Sequence, residues 1–211
     1  MRRYLTITIL SIAAVITYAC ANPAANKPKA TVANAEPESN PAKLAGAETL
    51  KISPENSKVE FVAAKVTRSH DGSFKQFAGA IDLVNNKIES SRVTIDIQAN
   101  SVVTDEPDLT KHLQTPDFFD VAKYPKATFT STKIEQADGN YKVTGNFDLH
   151  GIKKLITFPA TIQVASDSVS VNAEFSIDRR DFNLLYPGKA DDLIRDRVVI
   201  KLTLKVPRAK P

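Results

Sequence analysis

From Val59 to Val206 the chain alternates apolar and polar residues with period two, and most apolar sets carry one Ala or Gly among larger side chains. Side chains along a strand point alternately to two faces, so each set predicts a strand with one buried and one wet face. The pattern is most regular in the second half. Tyr141, Val143, Gly145, Phe147 and Leu149 form one set, and Ile156, Phe158, Ala160, Ile162 and Val164 the next. Val169, Val171, Ala173, Phe175 and Ile177 follow, then Val198, Ile200, Leu202, Leu204 and Val206. Upstream sets are Val59, Phe61 and Ala63; Phe77, Gly79, Ile81 and Leu83; Val93, Ile95, Ile97 and Ala99; and a last one beginning at Ala127 and Phe129. Asp71-Gly72, Asn85-Asn86, Asp138-Gly139-Asn140 and His150-Gly151 read as turns between sets. Phe74 is out of phase with Phe77, which predicts a bulge between them.

Antiparallel sheets tolerate one wet face, whereas parallel sheets are covered on both. The single helical candidate is short, Pro107 to Leu113, with Asp105 or Glu106 as its cap and Pro116 ending it. A sheet without a helical cover must fold on itself. The expectation is therefore an all-β, antiparallel β-barrel of about eight strands with one short helix, a size whose interior holds side chains or one ligand. The small residues on the inward faces argue for a partly hollow interior. They also suit a solid barrel, where they fit the taper.

The N-terminus bears on location. Arg2 and Arg3 precede an uncharged stretch, Leu5 to Ala19, in the layout of a secretory signal. The stretch ends at Cys20, the single cysteine of the chain. A cysteine at that place resembles the bacterial lipoprotein signal, in which it becomes the lipidated N-terminus. Thr17 and Tyr18 depart from that pattern, which prefers Leu and a small residue, so an ordinary cut near Ala19 or Ala21 is the alternative. Residues 21–48 are rich in Ala, Asn, Pro, Lys and Glu without periodicity and read as a disordered tether. Such a tether spans about 30 Å on average. Residues 49–211 are long enough for one domain with a real core. The formal charge of +4 falls by two when Arg2 and Arg3 leave with the signal, and the lysines and glutamates of the tether cancel. So small a residue of charge does not point to nucleic acid.

Candidate chemistry is sparse. His70, His112 and His150 stand in no metal-binding spacing. His70 precedes Asp71-Gly72 and reads as a solvated loop residue. His112 on the short helix and His150 at a strand end are either hydrogen-bonded structural residues or ligand contacts. There is no nucleophile elbow and no phosphate-cradling glycine loop. Asp105-Glu106 and Asp191-Asp192 are adjacent carboxylates of the solvated kind. Asp178-Arg179-Arg180-Asp181 is either a surface ion-pair network or a head-group contact at a barrel mouth. Phe118 and Phe119 lie between Asp117 and Asp120, and at least one must pack inward, closing one end of the barrel.

The segment His112-Leu113-Gln114-Thr115-Pro116-Asp117-Phe118-Phe119-Asp120, followed by Lys123-Tyr124-Pro125 and Thr128-Phe129-Thr130-Ser131, resembles the HLxSPDFFDxxKYPxxxFxS signature of the YceI-like family. Ser57-Lys58-Val59-Glu60-Phe61, Gly145-Asn146-Phe147-Asp148-Leu149-His150-Gly151-Ile152 and Asp178-Arg179-Arg180-Asp181-Phe182 match in the same order, so the resemblance covers residues 49 to 206. Asn183 stands where the family often has Gly, and Asn also tolerates a left-handed backbone.

The resemblance implies a lipocalin-like barrel with an elongated apolar lumen, secreted or periplasmic, in a family of which some members bind polyisoprenoid chains such as isoprenoid quinones or polyprenyl phosphates; it does not identify the ligand of this chain. On that reading the chain is a non-enzymatic lipid binder or carrier in the bacterial cell envelope, anchored to a membrane through Cys20. The expected lumen wall comprises Phe61, Phe77, Ile95, Ile97, Phe129, Phe147, Leu149, Phe158, Ala160, Ala173 and Phe175, with Phe118 and Phe119 at one end and His112, His150 and Arg179 toward a polar head. No cofactor or metal is expected. A long-chain lipid and the membrane are the expected partners, with a homodimer as a further candidate. The competing readings are a solid structural or interaction barrel, and an enzyme acting on a lipid substrate.

Overall fold

The computed structural model describes residues 22–37 and 44–208. Fourteen strands follow the alternating sequence closely: β1 (Thr31–Asn34), β2 (Ala47–Ile52), β3 (Ser57–Ala64), β4 (Ser69–Phe74), β5 (Phe77–Val84), β6 (Lys87–Gln98) and β7 (Val102–Thr104) precede the helix α1 (Pro107–Leu113). After it come β8 (Lys126–Ala137), β9 (Asn140–Leu149), β10 (Ile152–Val164), β11 (Ser168–Asp178), β12 (Gly188–Lys189), β13 (Asp192–Leu193) and β14 (Arg197–Pro207). Twelve of them form one sheet in the order β2-β5-β6-β8-β9-β10-β11-β14-β3-β4-β7, with β1 added beside β10; β12 and β13 pair as a small hairpin. The sheet curls into an antiparallel half-barrel around one apolar core. Its edge strands β2 and β7 are not joined by a backbone ladder among the described residues, so the curl replaces the expected eight-strand closure. The end of β14 meets β2 through side chains instead, with Arg208 paired to Glu48 at 2.6 Å.

Local chemistry explains the connections. Asn85-Asn86, Asp138-Gly139 and His150-Gly151 each hold two successive residues at positive φ, the conformation of a two-residue hairpin that matches strand twist. Asp71-Gly72, expected as a turn, lies inside β4. Gly72 is there because Phe61 of the neighbouring strand lies across it: a Cβ would stand 2.1 Å from the Phe61 ring. The expected bulge near Phe74 is a strand break, because the chain leaves the β3–β4–β7 group at Phe74 and joins the β2–β5–β6 group at Phe77. The pairing irregularities fall elsewhere, between Asp82 and Val84 and between Ser131 and Lys133. Helix α1 forms as expected, with Pro107 in its first turn and Glu106 at the N-cap position.

The larger correction concerns the tether. Its first half is folded onto the sheet. β10 and β11 pair only from Thr161–Val164 to Val169–Asn172, then separate. The N-terminal segment fills the gap: β1 pairs with Lys154–Thr157 on one side, and on the other Ala30 donates its N–H to the Ser176 carbonyl while Ser176 donates to that of Pro28. Ala30 is buried in the main core. Upstream, Ala24 is 0% exposed against Val62 and Val199, and Arg197 donates to the Lys27 carbonyl at 2.8 Å. Composition without periodicity predicted disorder; two open strand edges supply the backbone partners that the segment lacks by itself. The signal segment and Cys20 lie outside the described residues.

Candidate functional site

One end of the half-barrel is hollow. A cavity of about 150 Å³ sits inside the sheet at the end carrying α1, the 3₁₀ turn Arg179–Phe182 and the loop 184–195. Its wall is apolar apart from Glu60 and Arg179. Phe61, Ile95, Ile97, Phe129 and Phe147 line it, as do Leu149, Phe158 and Phe175, all from the expected inward faces. Phe118 and Phe119 line it from the segment after α1, with Phe118 buried against Phe61, Val102 and Leu113. That segment folds back because Phe119 donates its N–H to the Leu113 carbonyl at 3.0 Å and Asp120 donates to Thr115 at 2.9 Å.

The other end is close-packed. Ala160 and Ala173 are buried there and do not border the cavity, nor does Phe77. Their assignment to a lumen wall is corrected: Ala173, the residue after the last β10–β11 pair of Thr161 with Asn172, lies buried in the main apolar core with Ala160 and Phe77. The inward glycines mark no void either. Gly145 is small because Phe129 lies over it, a Cβ there falling 2.6 Å from the ring.

The proposed polar contacts also stand elsewhere. His112 is outside the cavity, with its ring edge-on to Phe118 at 4.9 Å and to Tyr186 at 5.2 Å, and its Nε2 lies 2.8 Å from Asp117. His150 occupies the β9–β10 hairpin turn, packs on Tyr124 at 4.4 Å and has a buried Nδ1 without a hydrogen-bond partner. Arg179 does reach the lumen wall, but its guanidinium is spent on structure. It donates to the Arg195 carbonyl at 3.3 Å, to the Leu184 carbonyl and to Asp196 at 3.3 Å, which clamps the loop 184–195 over the cavity. Burial lowers its pKa from the ordinary value, partly offset by Asp196 and Asp178. Arg180 is the surface member of the cluster, paired with Asp178 at 3.1 Å and Asp196 at 3.3 Å. Partial burial pushes the Asp178 carboxyl up, but hydrogen bonds from Arg180 hold it below the usual range. His70, expected in a solvated loop, is buried on β4 with its Nδ1 2.9 Å from Asp105. Its place opposite Ala63 on β3 explains this: the Asp71-Gly72 pair continues the strand and does not turn it.

Sequence reasoning missed the cover of the cavity. Leu184 and Ile194 line it from the loop 184–195, and the wall also includes Leu113, Ala127, Ile156 and Ile177, with Val198, Ile200 and Leu202 from β14 and Val59, Ala63 and Phe74 from β3 and β4. Leu184 and Ile194 fall outside any alternating run, so periodicity carries no signal for them. Among the described residues no group of three or more His, Cys, Asp or Glu is placed to hold a metal ion, and no helix is long and apolar enough to cross a membrane.

A family model of the YceI-like domain matches residues 50–206, the whole curled sheet apart from β1 and the first residues of β2. The chain belongs to the YceI-like family. Protein YceI of Salmonella arizonae is 34% identical over 119 residues, which covers 54% of this chain and 62% of that protein. Protein YceI of Salmonella newport matches to the same extent, so the chain spans about three fifths of these relatives' length. Among solved structures, BcnA of Burkholderia cenocepacia is similar with a TM-score of 0.65 and 25% identity, covering 73% of this chain and 98% of BcnA. A polyisoprenoid binding domain from Saccharophagus degradans superposes with a TM-score of 0.63 at 20% identity, covering 77% and 99%. A Campylobacter jejuni YCEI protein gives 0.56 at 27%, covering 66% and 85%. YceI-like proteins thus share the antiparallel half-barrel described above.

Proposed function

We propose that this YceI-like protein binds the apolar tail of a lipid, isoprenoid first, without chemical turnover, and that it works in the bacterial periplasm, held to a membrane by an acylated Cys20. The observation that carries the reading is the apolar cavity of about 150 Å³ under a cover of loops. The solved domain of the same fold from Saccharophagus degradans, described as polyisoprenoid-binding, supports an isoprenoid as the first ligand to try.

Size limits how such a tail enters. Apolar cavities near 150 Å³ stay dry and admit a guest about as large as benzene. One five-carbon isoprene unit therefore fits the lumen as it stands. Its burial contributes about 4 kcal/mol at roughly 0.8 kcal/mol per carbon, which is only millimolar binding before association costs. A useful affinity requires several units, so the segment 116–120 and the loop 184–195 must move outward to lengthen the lumen. The test is native mass spectrometry of protein purified gently from its own membrane fraction. A bound apolar mass released by solvent, together with acyl mass on Cys20, is the expected result. A ligand-free chain that also fails to take up an isoprenoid quinone in titration leaves a solid structural barrel as the better account. Saturable conversion of the lipid transfers the reading to an enzyme.

A further inference from the structure

Four large hydrophobic side chains stand most exposed among the described residues, and three of them crowd the cover of the cavity: Val66 at 53%, Leu185 at 58% and Leu193 at 48%. Val66 donates its N–H to the Leu193 carbonyl at 3.1 Å, and Ile194 donates to Pro187, two residues beyond Leu185, at 2.9 Å. Each of the two leucines adjoins a residue that faces the other way: Leu184 and Ile194 line the lumen. The cover is therefore apolar on both its sides, toward the lumen through Leu184 and Ile194 and toward solvent through Leu185 and Leu193. We propose that this rim docks into the outer part of a lipid bilayer, so that the tail passes from membrane to lumen without crossing water.

The N-terminal strap says what covers the rim. Ala24 packs on Val62 and Val199. Each lies two residues from the end of its strand, and those two ends run on into the rim: β3 leads to Val66, and Leu193 leads into β14. Cys20 precedes Ala24 by four residues, so the acyl anchor of the reading above, on which this inference rests, reaches at most about 14 Å from that spot. An anchor there presents the hollow end to the bilayer and points the close-packed end away. Charge does not drive the contact. Lys65 is paired with Asp192 at 3.1 Å and Arg68 with Glu106 at 3.7 Å, and Lys189 and Asp191 of the same hairpin are opposite in sign, so the rim carries little net charge. The surface fits a zwitterionic bilayer held by apolar insertion.

The test uses the full mature chain with its acyl group in phosphatidylcholine vesicles. An environment-sensitive dye is attached at Leu193→Cys and, separately, at Asp138→Cys in the far β8–β9 turn. The expected result is a blue-shifted dye at 193, reached by quenchers fixed in the bilayer and unchanged in high salt, with the dye at 138 fully in water. The Leu185→Asp, Leu193→Asp chain should load a pyrene-labelled prenyl probe from vesicles at least about tenfold more slowly, the effect of withdrawing one leucine from an apolar phase. It should load the same probe normally from methanol-diluted solution. Equal exposure at 193 and 138, or equal loading from vesicles, overturns the rim; a dye shift that depends on protein density assigns the rim to a second copy of the chain and overturns it too. Failure of the wild type to load from solution sinks the lumen reading separately. A chain without acyl mass removes the anchor, and the rim argument with it.

Discussion

Replacing Ala127 by leucine places three more carbon atoms in the lumen. At roughly 30 Å³ for each carbon-sized group, the side chain adds about 90 Å³ to a cavity of about 150 Å³, so it fits without displacing a neighbour. Burial of three further carbons contributes about 2.4 kcal/mol. The fixed leucine rotamer gives back about 0.5–1 kcal/mol. Ala127→Leu should therefore stabilise the protein by about 1–2 kcal/mol while lowering its capacity for an apolar ligand. Ala173→Leu is the matched control. It adds the same atoms on the same kind of inward face, at a buried position that does not border the cavity, and should cost about 1–3 kcal/mol by overpacking. Urea unfolding at unchanged slope gives both differences, and titration with a prenyl probe gives the capacity. If Ala127→Leu is as destabilising as Ala173→Leu, the hollow end is not hollow in solution and the assignment of the site fails.

Other substitutions probe the surroundings. Asp82 accepts from Arg92 at 3.2 Å and from the Thr49 hydroxyl at 2.8 Å in a buried setting; Asp82→Ala removes the acceptor both share and should cost about 1–3 kcal/mol, read from the thermal midpoint, whereas a surface control such as Asp108→Ala should cost under about 0.5 kcal/mol. Ala30→Asp puts a charge at a core position of the strap, and hydrogen exchange should then accelerate at the amides of Ala30 and Ser176 while the β11–β14 ladder stays protected. Asp178 and Asp192 both have folded-state pKa values below the ordinary one, Asp192 through hydrogen bonds from Thr67 and Lys65. Their contribution is present above the ordinary carboxylate value of about 4 and is lost as pH falls through the depressed folded values. Amide NMR of residues 65–68 and 184–195 should show loosening only in acid; loosening on raising the pH from neutral would contradict the sign.

Where the chain obeys a single period, the structure was legible from it. The inward sets of β9, β11 and β14, the helix at Pro107 and the paired turns at Asn85, Asp138 and His150 all follow from local rules. The lumen was legible only in part. Alternation tells which side chains face inward, yet Phe175 borders space while Ala173, on the same face, is packed. Both lie beyond the last β10–β11 pair, so the difference is set by what packs above each side chain and not by alternation along one strand. Small residues misled for a related reason, since Gly72 and Gly145 make room for rings on adjacent strands. The strap was hidden because its bonds are made by backbone, and composition does not report backbone partners. One signal was present: Val62 and Val199 are apolar on outward faces, where the alternation calls for polar residues. An apolar residue in the wet phase announces a cover even when it does not name one.

The strap also fixes an order of events. Its partners are Lys154–Thr157, Ser176 and Arg197, and the bond from Arg197 to Lys27 spans 170 residues. The part of the chain made first thus waits for the part made last. Closing so wide a loop is entropically costly and is repaid only once β10, β11 and β14 stand in place. Until then the seam between β10 and β11 lacks backbone partners, although the rings of Phe158 and Phe175 stack across it at 4.2 Å. The strap is therefore the last strand to dock, and the backbone groups of β10 and β11 that it covers meet water until it does.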